Sequence, residues 1–584
     1  MRWCGAFVLL AALPAAAQPL PPGQPILPPT LPVPPPGSPL PGVVPQAPPA
    51  VGAPSTATAP VAPAPVSPQV TVSISTVTID GATAYGPEIL NAITAGLTGN
   101  AVPAQKIEAA RAAILNRYRH DGYVYTTVNA RIHASQLRFV VTEGRIVDVK
   151  LDGDIGPAGT QVLRFLRHLT EVRPIDTRSL ERWLLLAGDI PGITISSTLN
   201  PSTEDPGALT LIATVRREKF SGQASADNRA FRETGPEELL TQFDLNSFTS
   251  FGERTEVSLY HTFNDTETFG QLSEEFFLGG SGLKLKIYGG AGETTPSGSL
   301  GDLGYNGITR VGGAQLSYPL IRSRQQTLNL VGNFDVIESE ILTNTGANGS
   351  AIKSSFDSLR VLRAGADYSF YDIWLGPSLA ATSDATFRVS QGLPILGASP
   401  NGDITAPRLH ERVDFTKVSG EADRTQSLFS PFKSAEVSLK IAVEGQYSNN
   451  ILPPEEKFYL GGPHFDRGFY YGEVTGDSAL AATFEPLLDV NFTTLESLPS
   501  WIGPLPLSAQ FYSFYDWGNA WQNQSTDADQ VLRSVGGGVR FYAGPRVEMD
   551  VEGVSRLTRT PDGEPPEVSR LKSSAVYWQV LGRF

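Results

Sequence analysis

Cysteine is almost absent from this 584-residue chain: Cys4 is the only one. It precedes the apolar stretch Ala6 to Leu13, which follows Met1 and Arg2 and leads to Ala15-Ala16-Ala17. That is the anatomy of a secretory signal peptide over residues 1–17. Cys4 would leave with the signal, so the mature protein is expected to carry no disulfide, no thiolate metal site and no cysteine nucleophile. A cysteine ahead of the apolar stretch is also misplaced for a lipoprotein anchor. After the signal no uninterrupted apolar run of about 18 residues occurs, so no transmembrane helix is expected. Histidine is scarce too. His120, His133, His168, His261, His410 and His464 show no ligand spacing. Neither a G-x-S-x-G elbow, an H-E-x-x-H pair nor a phosphate-cradling G-x-x-x-x-G-K-[ST] loop is present. An enzyme, a metal site and a cofactor are therefore not expected, and the acidic pairs Glu274-Glu275 and Glu455-Glu456 read as solvated loop charges. A formal net charge of -14 argues against a nucleic-acid partner.

What the chain has in quantity changes along its length. Residues 18–68 hold 20 prolines among Ala, Val, Gly and Ser, which makes an extended linker with few backbone donors. An internal repeat follows. Val77-Thr78-Ile79-Asp80-Gly81 recurs 72 residues later as Val149-Lys150-Leu151-Asp152-Gly153, each copy a strand ending in an Asp-Gly turn. Helical spacing follows in both copies: Ile107, Ala110, Ile114 and Tyr118 in the first, then Val162, Phe165, Leu166, Leu169 and Leu180, Leu184, Ala187 in the second. Gly122 leads Tyr123 to Ala130 and Leu137 to Thr142, and Gly192 leads Ile193 to Leu199 and Leu209 to Val215. The unit is β-α-α-β-β, occurring twice, at 69–143 and 144–217.

From about Lys219 the hydrophobic period becomes two. Val437, Leu439, Ile441, Val443 and Tyr447 alternate with polar residues, as do Leu283, Leu285, Ile287 and Val547, Met549, Val551. Val576, Trp578, Val580 and Phe584 share one face of a final strand. A soluble β-sandwich would show the same alternation. The aromatic end of the final strand together with the signal peptide favours the membrane, which a chain without a transmembrane helix spans only as a closed barrel. Residues 218–584 are therefore expected to form a transmembrane antiparallel β-barrel. At roughly 23 residues per strand and loop it allows about 16 strands. In the strand from Leu507 to Trp517, Leu507, Ala509, Phe511, Tyr515 and Trp517 take one face. Ser508, Gln510, Tyr512 and Asp516 take the other, which aims Asp516 at the lumen.

This arrangement resembles the two-partner secretion transporters of the Omp85 superfamily, the haemolysin and filamentous-haemagglutinin activation/secretion proteins, which carry two POTRA domains before a 16-stranded barrel. Three local matches carry the likeness. The stretch Leu184 to Val215, with Leu185-Leu186-Ala187-Gly188-Asp189-Ile190-Pro191-Gly192, is similar to the end of the second POTRA domain. Arg467-Gly468-Phe469, between Gly461 and Gly476, matches the loop motif [VI]RG[FY], with Asp466 in place of the usual apolar residue. Phe514, Asp516 and Gly518 match the barrel-strand motif F-x-D-x-G. The resemblance implies that the loop carrying Arg467 folds back into the barrel and pairs with Asp516, where an arginine fork can meet a carboxylate with two parallel hydrogen bonds. It implies an outer-membrane pore with periplasmic POTRA domains that bind an unfolded partner, a large β-helical exoprotein, by strand addition and secrete it without ATP. Its further partners would be outer-membrane lipid and, during biogenesis, the barrel assembly machinery, for which Phe584 would be the C-terminal signal. The plug helix found at the start of several family members does not carry over, because the proline-rich segment cannot form it. Two other readings remain open: an assembly factor for outer-membrane proteins and a passive porin.

Overall fold

The computed structural model describes residues 70–153, 156–344, 350–376, 378–495, 505–561 and 570–584. The expected signal peptide and proline-rich linker lie outside the described residues. The repeated Val-x-x-Asp-Gly strand is a leading element of both N-terminal domains. The first contains β1 (Thr71–Ile74), β2 (Thr76–Asp80), α1 (Pro87–Thr94), β3 (Gly99–Pro103), α2 (Ala104–His120), β4 (Thr127–His133) and β5 (Gln136–Thr142). Here β2 runs parallel to β5 and β4 antiparallel to it, in the order β2-β5-β4. The second domain repeats the plan with β6 (Arg145–Gly153), α3 (Gly159–Arg167), α4 (Thr177–Gly188), β7 (Ile193–Pro201) and β8 (Ala208–Arg217), in the order β6-β8-β7.

The repeated glycines have a steric reason. Gly81 and Gly153 adopt φ of 81° and 93°, and a Cβ on them would lie 2.2 Å and 2.4 Å from the carbonyl oxygens of Val141 and Val215. Only glycine tolerates both the backbone angle and that approach. The helical faces expected from spacing are the buried ones. Ile107, Ala110, Ile114 and Tyr118 pack on Leu137, Phe139 and Val141, and Val162, Phe165, Leu166 and Leu184 pack on Leu211, Ala213 and Val215. Two details differ from expectation. A small ribbon of β1 with β3 is added to the first domain, which places Ile74 and Val102 in its core. The strand expected from Tyr123 starts at Thr127, because the Tyr123 ring turns inward, edge-on to Tyr118 and Tyr85.

Glu143 follows the last strand of the first sheet and ties it to α2 and to the loop that leads from β2 into α1. Its carboxylate accepts from the backbone N–H of Thr83 (2.7 Å) and Ala84 (3.0 Å), from the Tyr118 hydroxyl (2.7 Å) and from the Thr83 hydroxyl. Burial pushes its pKa up, but these hydrogen bonds outweigh burial and hold it below the ordinary glutamate value of 4.5. The folded domain thus binds this proton less readily than the unfolded chain. The stabilisation is present above about pH 4.5 and is lost as pH falls through the depressed folded value. Glu143→Gln is expected to lower protection of the β5 amides in hydrogen exchange at neutral pH. It should also flatten the acid-side loss seen in the wild type; an unchanged acid limb would show that other carboxylates control it.

After the second domain the chain forms a closed barrel of sixteen strands, each antiparallel to its neighbours. The first eight are β9 (Phe220–Asp227), β10 (Glu238–Asn246), β11 (Arg254–Thr262), β12 (Glu267–Phe277), β13 (Lys284–Thr294), β14 (Asn306–Arg322), β15 (Gln326–Thr343) and β16 (Ile352–Asp372). Next come β17 (Ala381–Gly392), β18 (Thr416–Phe432) and β19 (Ala435–Ser448). A short ribbon of β20 (Phe458–Leu460) and β21 (Val474–Gly476) interrupts the wall. It resumes as β22 (Ser478–Leu495), β23 (Leu505–Trp521), β24 (Gln530–Ala543), β25 (Val547–Arg556) and β26 (Ser574–Arg583), which pairs with β9 to close the barrel.

The usual burial rule is inverted on this wall: Ile287, Ile441, Val443, Tyr447, Met549 and Val580 are exposed on the outside, while Ser438, Ala442 and Gln446 are buried inside. That is the surface a strand presents to lipid on one face and to a polar lumen on the other. Glu274 and Glu275, expected in a loop, lie in β12, where Glu274 accepts from Thr255 (2.5 Å) and Glu275 pairs with Lys284 (3.4 Å). Their alternating neighbours are apolar only in part, and the strand runs through them because its ladder with β11 and β13 does not depend on side-chain charge.

The second N-terminal domain is seated on alternate turns of the barrel. The Ser247 hydroxyl donates to Pro191 O (2.6 Å), and the Gln161 amide to Gly279 O (2.7 Å). Arg322 makes a two-bond fork to Asp189 (2.8 and 2.7 Å), and Phe277 meets Phe165 edge-on. These turns follow β10, β12 and β14, so every second turn faces the N-terminal domains. The loop between β19 and β22 belongs to the opposite rim.

Candidate functional site: a loop folded into the barrel

The chain between β19 and β22 returns from the far rim into the lumen. The β20–β21 ribbon stiffens its two arms, and an apolar cluster of Phe458, Leu460, Phe465, Phe469 and Val474 with the wall residues Ala481, Ala520 and Leu532 holds it. Phe469 is fully buried there. The tip residue Asp466 takes φ of 55°, a left-handed angle that Asp tolerates better than most side chains. Its carboxylate is buried, with no hydrogen-bond partner among the described residues.

Arg467 and Asp516 come together inside the barrel. The Arg467 guanidinium donates through Nε to Asp516 Oδ2 (3.0 Å) and through Nη2 to Oδ1 (3.0 Å), and its backbone N–H donates to Oδ2 (2.8 Å). Nη1 reaches Glu485 (2.6 Å) and Nη2 also reaches the Thr483 hydroxyl (2.8 Å), which itself donates to Asp516 (2.5 Å). The guanidinium carbon sits 3.7 Å from the centroid of the Phe514 ring, a cation–π distance. Arg467 is 3 % exposed and Asp516 0 %. A buried charge needs this density of partners, because desolvation otherwise outweighs the attraction.

The other motif residues share the site through the two-residue period of β23. Phe514, Asp516 and Gly518 occupy one face: the ring lies under the guanidinium, the carboxylate grips it, and Gly518 leaves room for the loop. A Cβ at Gly518 would lie 2.0 Å from Asp466 Oδ2 and 2.9 Å from Leu460. Gly468 donates its N–H to the Ser534 hydroxyl (3.1 Å), and its carbonyl accepts from Arg556 Nε (2.5 Å) and the Tyr577 hydroxyl (3.2 Å). Phe584 stands apart from this cluster. Its N–H and C=O pair with the C=O and N–H of Gly222, both at 3.0 Å, extending the β26–β9 seam.

Several partners had no signal in the sequence. Arg229 donates to Arg467 O (2.8 Å) and forms an ion pair with Glu552, and Arg540 supports Glu485 (3.1 Å). Glu456, expected as a solvated loop charge, is 0 % exposed, and Glu455 is 2 %. Glu456 forms ion pairs with Arg363 (2.5 Å) and Lys417 (2.7 Å). Glu455 and Lys457 flank it in sequence, and only the return of the loop into the lumen buries it. A carboxylate next to Pro453-Pro454 in a loop gives no local hint of that.

Comparison with known proteins agrees with this architecture. The family described as haemolysin secretion/activation protein ShlB/FhaC/HecB matches residues 210–541, and the POTRA domain of ShlB type matches residues 72–144. The heme/hemopexin transporter protein HuxB of Haemophilus influenzae (strain 86-028NP) is 21% identical over 433 residues, 73% of this chain and 72% of that protein. CdiB from Escherichia coli superposes with a TM-score of 0.67 at 17% identity, covering 90% of this chain and 93% of that one. CdiB from Acinetobacter baumannii gives 0.61 at 16% identity, covering 92% and 95%. With more than half its length matched, the chain belongs to the ShlB/FhaC/HecB haemolysin secretion/activation family, the outer-membrane transporters of two-partner secretion, whose POTRA domains stand in the periplasm.

Proposed function

We propose that the chain exports a large, unfolded β-helical exoprotein through its own lumen, and that the loop from Gly461 to Gly476 closes that lumen at rest. The observation that carries this reading is the Arg467 fork on Asp516 inside the barrel. A loop docked by non-covalent contacts, this fork and the apolar cluster around Phe469, can leave as a unit when they break. The edge strands β4 and β7 of the two N-terminal sheets leave backbone groups free for an extended segment, so strand addition would supply affinity with little sequence demand. Folding of the cargo outside the cell would then draw it through, with no nucleotide and no enzymatic step of the chain's own. In this reading residues 1–17 are removed on export, 18–68 tether, 69–143 and 144–217 receive the cargo and 218–584 form the pore. Phe584 would be read by the assembly machinery, and its place at the β26–β9 seam supports a role in closing the barrel.

The test is deletion of the gene in a strain that makes the co-encoded exoprotein. The exoprotein is expected to vanish from the medium and collect or be degraded in the periplasm, with recovery on supplying the wild-type chain. Exoprotein still outside the cell would end the exporter reading. A general fall in other outer-membrane proteins would move the assembly-factor reading ahead.

A further inference from the structure

The returning loop is held at two places. Its tip meets β22 and β23 through Arg467 and β24 to β26 through Gly468; its root, the turn Pro454–Glu456, meets a different part of the wall. There the Glu456 carboxylate takes two bonds from Arg363 on β16 (Nη1 3.0 Å, Nη2 2.5 Å) and an ion pair from Lys417 on β18 (2.7 Å). The Glu456 carbonyl accepts from Lys417 Nζ (2.9 Å) and from the Gln446 amide (3.0 Å). Arg363 is completed by Asp335 on β15 (2.9 Å), which also accepts from Asn333 (2.7 Å) and the Tyr288 hydroxyl. Two cations and two carboxylates balance, and Glu456 and Asp335 are both 0 % exposed. Without Glu456 the wall would keep Arg363 and Lys417 facing one carboxylate, so these two cations are placed for a group that only the loop supplies.

We infer that Glu456 is a second, independent latch, which holds the root of the loop to β16 and β18 while Arg467 holds the tip to β23. The inference rests on the reading of this loop as the resting plug. The tip latch alone governs local exposure of the lumen near β23; full withdrawal of the loop requires both to release. Glu456 is thus a positioning residue for secretion, through the charge pair and not through contact with cargo.

The experiment is single-channel recording of the full-length protein in planar lipid bilayers, with heat-modifiable migration as the control for a folded barrel. Glu456→Gln is expected to raise the open fraction about tenfold, the size that loss of a charge-assisted contact implies. Arg467→Ala should raise it as well, and the double variant should show the product of the two changes. Glu456→Asp, which keeps the charge, should stay nearer to wild type than Glu456→Gln, which keeps the size; a residue acting only by filling space would give the reverse order. If Glu456→Gln yields no folded barrel, Lys417→Gln, which leaves the Arg363 fork in place, is judged by the same criteria. A wild-type open fraction in Glu456→Gln beside a raised one in Arg467→Ala overturns the second latch and leaves the plug. A double variant no more open than Arg467→Ala also overturns it. A closed Arg467→Ala channel overturns the plug reading itself, and this inference with it.

Discussion

Asp516→Ala is expected to abolish export of the partner while the barrel still reaches the outer membrane as a folded, heat-modifiable species. The residue lies deep in the lumen and accepts three bonds from Arg467, two from the fork and one from the backbone. Removing it leaves a guanidinium that is 3 % exposed with one carboxylate, Glu485, beside the Thr483 hydroxyl and the Phe514 ring. Breaking a buried pair by deleting one partner costs about 3–5 kcal/mol, and here the cost falls on the docked position of the loop, because the free loop can return Arg467 to water. Arg467→Ala should act at least as strongly, since it strands two carboxylates, Asp516 and Glu485, of which only Glu485 keeps another cation, Arg540. Arg467→Lys keeps the charge but loses the planar fork and its stacking on Phe514, so an intermediate defect is expected. The amount of partner in the medium, compared at equal barrel levels, is the measurement. Wild-type export in both alanine variants would mean that the pair is a structural ornament of the closed barrel and has no part in secretion.

Gly518→Val should give the second large effect by another route. The strand itself accepts valine readily, because Gly518 does not have a positive φ and β-branched residues suit a pleated strand. The obstacle is the loop: the first added carbon would lie 2.0 Å from the Asp466 carboxylate and 2.9 Å from Leu460. Both side chains are packed in a buried cluster and have nowhere to retreat, so the tip must lift. The expected result is a folded barrel that leaks large antibiotics and exports as little partner as Asp516→Ala. Gly553→Ala on β25 is the control, since a Cβ there meets nothing within 4 Å. Equal leakage in the two glycine variants would trace the effect to loss of glycine in the barrel wall in general, and the close-approach argument would fail.

The two effects share one cause, the period of β23. Phe514, Asp516 and Gly518 are two residues apart, so they face the lumen together, and each meets a different part of the loop. That much was readable from alternation alone: Phe511 and Tyr515 are exposed on the lipid side, and Tyr512, Phe514 and Asp516 are buried on the other. The loop partner was not readable that way. Arg467 lies 49 residues before Asp516, and nothing local to either residue says that they meet; the resemblance of the two motifs to a known family supplied the pairing. Glu456, Arg229, Glu485 and Arg540 lie in no motif, and only the tertiary fold brings them to their partners.

Local chemistry therefore determined the elements of this protein. Period-two alternation and the length of the C-terminal region set a barrel of about sixteen strands. The repeated Asp-Gly strand ends and the helical spacing after them set two small α+β domains, because a positive φ and a close carbonyl admit glycine alone. Tertiary structure decided which charges are buried. Glu455-Glu456 looks the same in sequence as any solvated acidic pair, and Glu274-Glu275 could pass for one too. Burial of Glu456 depends on the loop returning through the far rim, and its cations come from strands some 40 and 90 residues earlier in the chain. A charge's partners in a closed lumen are set by which strands face one another across it, and that is a property of the closed barrel and not of any stretch of its sequence.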